Sequence, residues 1–392
     1  MPSDVLSIWR AGLRKGLRAL EHRNQQRSLA EIHGVNFCSN DYLGLAGHPA
    51  LHDAVALAVQ QAKRVGGTGS RLLSGQTEDW HELEERFAMF AGTESALFFT
   101  TGYAGNLGLL SSLVTNDDVV YSDALNHASL IDGMRLSGAR KVIYPHLDLQ
   151  VLEDVLRQES GAPWRKVIVT ESVFSMDGDI APLAAIAALA EKYGAALIVD
   201  EAHATAVHGP GGRGIAAQAN IVSQLLAVIH TCGKALGSAG AFVCGPAVLK
   251  EHLINHARTF IFSTALPPYF CKQIAAAMEI SATMDSQREQ LLQNAARFVR
   301  KLRAQGFDAA ASASQIVPIV LGNNEDTIDA AEHLQRDGFA VRAIRPPTVP
   351  EGGSRLRLSL TTLIPEQELT RLVNSLVAWR MRQQISVASK HA

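Results

Sequence analysis

The sequence predicts an α/β protein, with a large domain on a mainly parallel sheet and a smaller C-terminal α+β domain. Three observations predict it. From residue 96 onward, short Val/Ile/Leu-rich runs alternate with helical stretches, and runs that are apolar throughout mark strands buried on both faces. Polar residues gather at or just past the ends of those runs, where open α/β sheets bind ligands. A helical stretch over 269–302, with little Pro or Gly, then separates this pattern from a second compact one. The expected division is an N-terminal helix and strand segment at 1–46, a large domain at 47–280 and a small domain at 281–392.

Composition narrows the function. A chain of 392 residues, 47% hydrophobic, has ample material for a large core. A net charge of −2 leaves no basic footprint for nucleic acid and no attraction to a membrane surface. Cys38, Cys232, Cys244 and Cys271 form no C-x-x-C pair, which argues against a zinc site or a disulfide framework. Reduced thiols in a cytoplasmic enzyme are the expectation. No apolar run reaches the length of a membrane span, and no signal-peptide core is expected at the amino terminus.

In chain order, residues 5–23 space Leu6, Trp9, Leu13, Leu17 and Leu20 among basic residues, as an amphipathic helix does. Its arginines, Arg18 among them, are either a solvated face or the border of an anionic substrate. Residues 35–45 read as a short strand followed by a turn, which Asn40 and Asp41 suit. A helix over 48–65 carries Pro49 in its first turn. The glycine-rich stretch 66–75 allows close backbone approach or unusual dihedrals, but it lacks a dinucleotide fingerprint. Residues 77–90 form a helix with Thr77 at its N-cap.

Strands then fall at 96–99, 119–121, 142–144, 167–170 and 196–199. Thr101-Gly102-Tyr103 opens a helix after the first of these, and exposed N–H groups at a helix start are an anion site when they are not merely capped. The second domain reads as strand 316–321, helix 326–335, strand 340–344, a loop, strand 355–360 and helix 365–382, with a polar tail at 384–392 expected to fray.

The chemistry centres on two strand ends. The apolar run 225–229 leads into His230-Thr231-Cys232-Gly233-Lys234, a lysine among small residues. Partial desolvation lowers a lysine's pKa and makes its amine a nucleophile. The run 195–199 ends in Asp200, with His203 close behind. Pyridoxal phosphate asks for such a pair: a lysine to form a Schiff base, and an acid to keep the ring nitrogen protonated. A buried lysine–aspartate ion pair accounts for these residues equally well. Cys232 reads first as a small buried filler and second as a nucleophile. Thr101, His127, Glu171, Ser175, Asp200, His203, Thr231 and Lys234 all lie at or past strand ends, and that shared placement outweighs any one of them.

Nearly the whole chain resembles the α-oxoamine synthase family of fold-type I pyridoxal phosphate enzymes, which have the aspartate aminotransferase-like fold. The resemblance is carried by Asn36-Phe37-Cys38-Ser39-Asn40-Asp41-Tyr42-Leu43-Gly44, the glycine-rich 66–75, His127-Ala128-Ser129-Leu130, the stretch from Glu171 to Asp179, Asp200-Glu201-Ala202-His203 and Gly233-Lys234. Ala343-Ile344-Arg345-Pro346-Pro347-Thr348-Val349-Pro350, with Arg355-Leu356-Arg357-Leu358, looks specific to the branch that condenses L-alanine with a pimeloyl thioester.

The resemblance implies pyridoxal 5'-phosphate on Lys234, Asp200 at the ring nitrogen, His127 stacked on the ring, His203 hydrogen-bonded to the ring 3′-oxygen, and Ser175 near the ring. By the same resemblance, Gly102, Tyr103 and Thr231 would hold the phosphate, while Ser263 and Thr264 would reach the partner subunit's phosphate in a homodimer. The resemblance likewise implies that Arg357, assisted by Asn40, takes the alanine carboxylate, with Arg18, Arg345 and Thr348 as further substrate-binding candidates. Departures from the family pattern are Ala204-Thr205-Ala206 where glycines are usual, Ser172 in place of glycine, and Leu147 in place of asparagine. A glycine-using sister synthase, a nicotinamide oxidoreductase and a non-catalytic partner subunit are the competing readings. The missing dinucleotide fingerprint counts against the second, and the presence of both Asp200 and Lys234 counts against the third.

Overall fold

A computed structural model describes residues 5–29, 31 and 33–390. The chain divides into two compact units. The larger holds 40–175 and 179–291, and the smaller holds the residues up to 39, Met176–Gly178, and those from 292 onward. Against boundaries expected at 46 and 280, the division falls at 39 and 291.

In the larger unit the apolar runs form one seven-stranded sheet. Across it lie Ser95–Phe99, Ala241–Gly245, Ala227–Thr231, Ala195–Asp200, Arg165–Glu171, Asp118–Asp123 and Arg140–Tyr144. All run parallel except Ala241–Gly245, which is antiparallel to both of its neighbours. Alternation along the strands feeds two layers. Leu97, Phe99, Ile229 and Val243 join Leu109, Leu110, Leu130, Met134 and Phe260 in one core. Phe98 and Phe242, paired in register, turn the other way. Phe242 stacks on Phe87 at 3.8 Å between ring centroids, and Phe98 stacks on Trp80 at 4.4 Å.

Those two partners ride on the helix Glu78–Ala91. Acids at Glu78 and Asp79 favour its amino end, and Gly92 closes it at φ +75°. Thr77 occupies the N-cap position as expected, but its hydroxyl makes no cap bond. Glu84 fixes the same helix to the sheet: its buried carboxylate accepts from Phe98 N at 2.9 Å and pairs with Arg71 at 2.9 Å and Lys250 at 3.0 Å.

The helical stretch expected over 269–302 is two helices, Tyr269–Ala282 and Asp285–Ala304. Thr283 breaks it by donating both its N–H and its hydroxyl back to Ile280 O.

In the smaller unit, Ile316–Gly322, Ser354–Ser359 and Ala343–Ile344 form an antiparallel sheet, with helices Asn324–Arg336 and Glu366–Lys390. The single strand expected at 340–344 is two pieces. Phe339–Ala340 pairs in parallel with Val35–Asn36, and only Ala343–Ile344 joins the antiparallel sheet. The expected frayed tail is helical through Lys390, and 391–392 lie outside the described residues. Helix Val5–His22 forms as expected, with Leu6, Trp9, Leu13 and Leu17 exposed. Among the described residues, no helix is long and apolar enough to cross a membrane.

Candidate active site

At the carboxyl ends of the parallel strands the larger unit encloses a cavity of about 180 Å³. Gly102, Tyr103, Asn106, His127, Ser129, Glu171, Asp200, Ala202, His203, Ile229, Thr231 and Lys234 line it. The sequence picks out seven of its site residues here: Gly102, Tyr103, His127, Asp200, His203, Thr231 and Lys234.

One end of the cavity is a helix start. Thr101 caps Gly102–Leu113, its hydroxyl accepting from Ala104 N at 3.0 Å. The first N–H groups of a helix have no intrahelical acceptor, and Gly102 and Tyr103, which open this helix, line the cavity. A Cβ on Gly102 would stand 3.6 Å from Thr231 Oγ1 and fill the space between the helix start and the strand end. The Tyr103 ring is tied to the neighbouring helix, its hydroxyl donating to Asp132.

Acids occupy the strand ends on the cavity floor. Asp200 accepts from Ala202 N at 2.8 Å on one oxygen and from Asn106 Nδ2 at 2.6 Å on the other. Asn106 also donates to Ser129 Oγ at 2.9 Å, and Ser129 Oγ lies 2.7 Å from His127 Nδ1. His127 caps the helix Ala128–Ser137, Nδ1 accepting from Ser129 N at 3.2 Å, so its ring proton belongs on Nε2. Burial holds the imidazole below its usual range, with Asp200 opposing and Lys234 adding to the shift, so it is neutral. The structural cap and the cavity wall are thus the same residue.

Glu171 is paired in register with Asp200 on the adjacent strand, and it accepts from His127 N at 2.6 Å. Complete burial, reinforced by Asp200, pushes its carboxyl well above the usual range.

The amine end is a relay. Lys234 Nζ lies 2.8 Å from His203 Nε2, and His203 Nδ1 lies 2.7 Å from Tyr42 OH. Tyr42 in turn donates to Asn40 Oδ1 at 3.1 Å. With the phenol proton spent on Asn40, the Tyr42 oxygen accepts from His203 Nδ1, which leaves the Nε2 lone pair facing the amine. His127 and His203 therefore present opposite tautomers to one cavity. Cys232 is fully buried and burial pushes its thiol far above the usual range, which makes it a filler rather than a nucleophile.

The donor set fits pyridoxal phosphate. It offers an anion cradle at Gly102, Tyr103 and Thr231, an amine at Lys234, and a carboxylate at Asp200. Asn106 Oδ1 is buried beside that carboxylate with no hydrogen-bond partner among the described residues, an acceptor left over at the acid end.

Other expected site residues lie off this wall. Ser175 sits on the hairpin beyond Glu171, closed by the Val173–Ile180 bridge. Thr264 pairs with Ser70, and Ala265 N donates to Gly69 O at 2.9 Å. That pairing accounts for part of the glycine-rich stretch, since a Cβ on Gly67 would lie 2.0 Å from Ala265 O. Ser263 precedes the pairing and does not line the cavity of its own chain.

Four belong to the smaller unit. Arg18 is exposed on the first helix. Arg345 donates to the carbonyls of Asn24 and Gln26, and burial lowers its pKa. Thr348 accepts from Arg27 at 3.1 Å, and buried Arg357 donates to Ser359 Oγ at 2.6 Å.

The departures from the family pattern have local accounts. Ser172 donates to the buried carboxylate of Glu201 at 2.6 Å. Ala206 and Leu147 adopt left-handed backbone at φ +66° and +54°, conformations that glycine and asparagine take at lower cost.

Residues 32–376 match the aminotransferase class I and II family. An 8-amino-7-oxononanoate synthase of Geobacter sulfurreducens is 46% identical over 373 residues, 94% of this chain and 95% of the relative. Among solved structures, a serine palmitoyltransferase variant from S. paucimobilis with PLP bound superposes with TM-score 0.88 at 28% identity, covering 98% of this chain and 100% of that one. The 8-amino-7-oxononanoate synthase of Francisella tularensis superposes with TM-score 0.77 at 29% identity, covering 90% and 99%. The chain therefore belongs to the aminotransferase class I and II family, as a fold-type I, pyridoxal phosphate-dependent acyltransferase of the α-oxoamine synthase branch.

Proposed function

We propose that the protein condenses L-alanine with a pimeloyl thioester, carried on coenzyme A or an acyl carrier protein, to give 8-amino-7-oxononanoate, carbon dioxide and free thiol. The supporting relatives bear that name at 41–46% identity across most of the chain. The observation that carries the chemistry is Lys234 Nζ at 2.8 Å from a histidine lone pair, in a cavity whose acid end is Asp200. Bound pyridoxal phosphate supplies an electron sink for the carbanion that forms at the amino-acid α-carbon.

The chain's own residues do the rest. Asp200 holds the proton of the ring nitrogen, itself oriented by Asn106. Gly102, Tyr103 and Thr231 anchor the phosphate. His127, neutral and protonated at Nε2, forms the wall over the ring. Lys234 takes the α-proton as base, and His203 Nε2 orients the amine. Ser175 approaches the ring from its hairpin. Arg357, with Asn40, binds the alanine carboxylate through its bidentate fork, and Arg18, Arg345 and Thr348 serve the acyl end. The enzyme works as a cytoplasmic homodimer in which Ser263 and Thr264 of one subunit reach the phosphate bound by the other.

The test is condensation by the purified holoenzyme, with pimeloyl-CoA and either L-alanine, glycine or L-serine, read by product mass. Alanine is the expected substrate by a wide margin. Product from glycine alone moves the protein to the sister branch, and product from serine alone moves it to the branch of its structural neighbours.

A further inference from the structure

His146 is not used by the chemistry above, yet its surroundings are built. It follows the strand Arg140–Tyr144 and stands between two acids from other segments. Its Nδ1 lies 2.8 Å from Asp123 Oδ1, and its Nε2 lies 2.6 Å from Asp179 Oδ2. Both carboxylates are almost completely buried. Phe174 meets the imidazole edge-on at 4.4 Å between centroids. A carboxylate only accepts, so two carboxylates on two ring nitrogens require both nitrogens to donate.

The two acids root the two loops that matter. Asp123 ends its strand and organises the turn before His127: Oδ1 accepts from Leu125 N at 2.8 Å, and its carbonyl accepts from Asn126 N at 3.3 Å. Asp179 closes the hairpin that carries Ser175, its carbonyl accepting from Phe174 N at 3.1 Å. We propose that His146, as an imidazolium, is a positioning residue that ties these two loops together and so sets His127 and Ser175 around the cofactor.

The charges that face it support this. Asp123 and Asp179 raise its affinity for the second proton and outweigh the effect of burial, holding it up to about 10. The other titratable groups that sense Asp123, Tyr144 and Glu171, are both shifted upward, chiefly by burial. Leu147 N also donates to Asp123 Oδ2 at 2.9 Å, which fixes the acid from the same segment as the imidazole.

The proposal rests on the proposed reaction only for the step that slows; three of its readouts need no turnover. Histidine-labelled protein is examined by 15N NMR at pH 8.5, where an ordinary imidazole is neutral. His146 is expected to carry protons on both nitrogens. Amide exchange of the holoenzyme is then compared with His146→Gln, and with Asp179→Asn, which keeps an acceptor and removes the charge. Faster exchange at 124–127 and 172–175, and pyridoxal phosphate bound about tenfold more weakly, are expected in both. Turnover should fall about tenfold at unchanged KM for the amino acid. A singly protonated ring at pH 8.5 overturns the charged clamp. Wild-type exchange and cofactor affinity in Asp179→Asn overturn the positioning role, even if His146→Gln does not fold. Failure of the alanine assay alone would instead count against the proposed reaction.

Discussion

Two histidines of this protein have opposite fates, and the contrast shows what sets a buried charge. His230 lies within the sheet, 1% exposed, against Phe87 and Phe90, with one neutral partner, the Thr205 hydroxyl at 3.0 Å. Burial, aided by Arg213, drops it to about 3. His146 also loses water, but two carboxylates raise it to about 10. Burial alone does not decide protonation; the acceptors buried with the ring do.

The two therefore pull on opposite limbs of the stability curve. A histidine depressed in the folded state stabilises above its unfolded value near 6.5, and that contribution is lost as pH falls toward 3. A raised one stabilises below 6.5 and loses its contribution as pH climbs through about 10.

The largest effect sets the scale for breaking this contrast. Lys234→Ala should lower turnover by about 10⁴-fold or more, while both pH limbs stay in place, as steady-state kinetics and thermal melts at several pH values would show. Next is Phe87→Ala, which should cost about 3–5 kcal/mol in denaturant unfolding and, by admitting water, raise the His230 pKa. Single variants His230→Gln and His146→Gln should then flatten the acid and the alkaline limb respectively, each by a few kcal/mol at most, in melts from pH 4 to 10. A variant that flattens the wrong limb reverses the assignment. Tyr42→Phe removes the hydroxyl that fixes His203, and about a tenfold loss in kcat is expected. The smallest effect is a gain: Leu147→Asn relieves left-handed backbone beside His146 and should add about 1 kcal/mol.

Much of the site was legible because its residues sit where an apolar run stops. Lys234, Asp200 and Thr231 follow uninterrupted strands, and Gly102 and Tyr103 open a helix after one, so position alone marks them. Tyr42, Asn106 and Ser129 had no such mark. Tyr42 meets His203 across 161 residues and Asn106 meets Asp200 across 94, and each also suits its own turn or helix. Local propensity explained them and hid their partners. The split of the 339–344 strand was hidden for the same reason, since pairing with Val35–Asn36 leaves no local trace; the break at Thr283 is a local bond to Ile280 that an otherwise helical pattern does not announce.

Lys234 stands between Ala227–Thr231 and Ala241–Gly245, strands that pair directly with each other. The parallel strands of this sheet meet only through crossovers with helices between them. The lysine's loop closes on itself, with Cys232 N donating to Gly240 O and Ser238 N to Cys232 O, both at 2.9 Å. Such a short closure has a small entropic cost and can form before distant crossovers dock. The reactive amine is thus insulated from the chain's wider connectivity: a circular permutant opened within a crossover helix keeps it in place, and one opened at 235–239 does not.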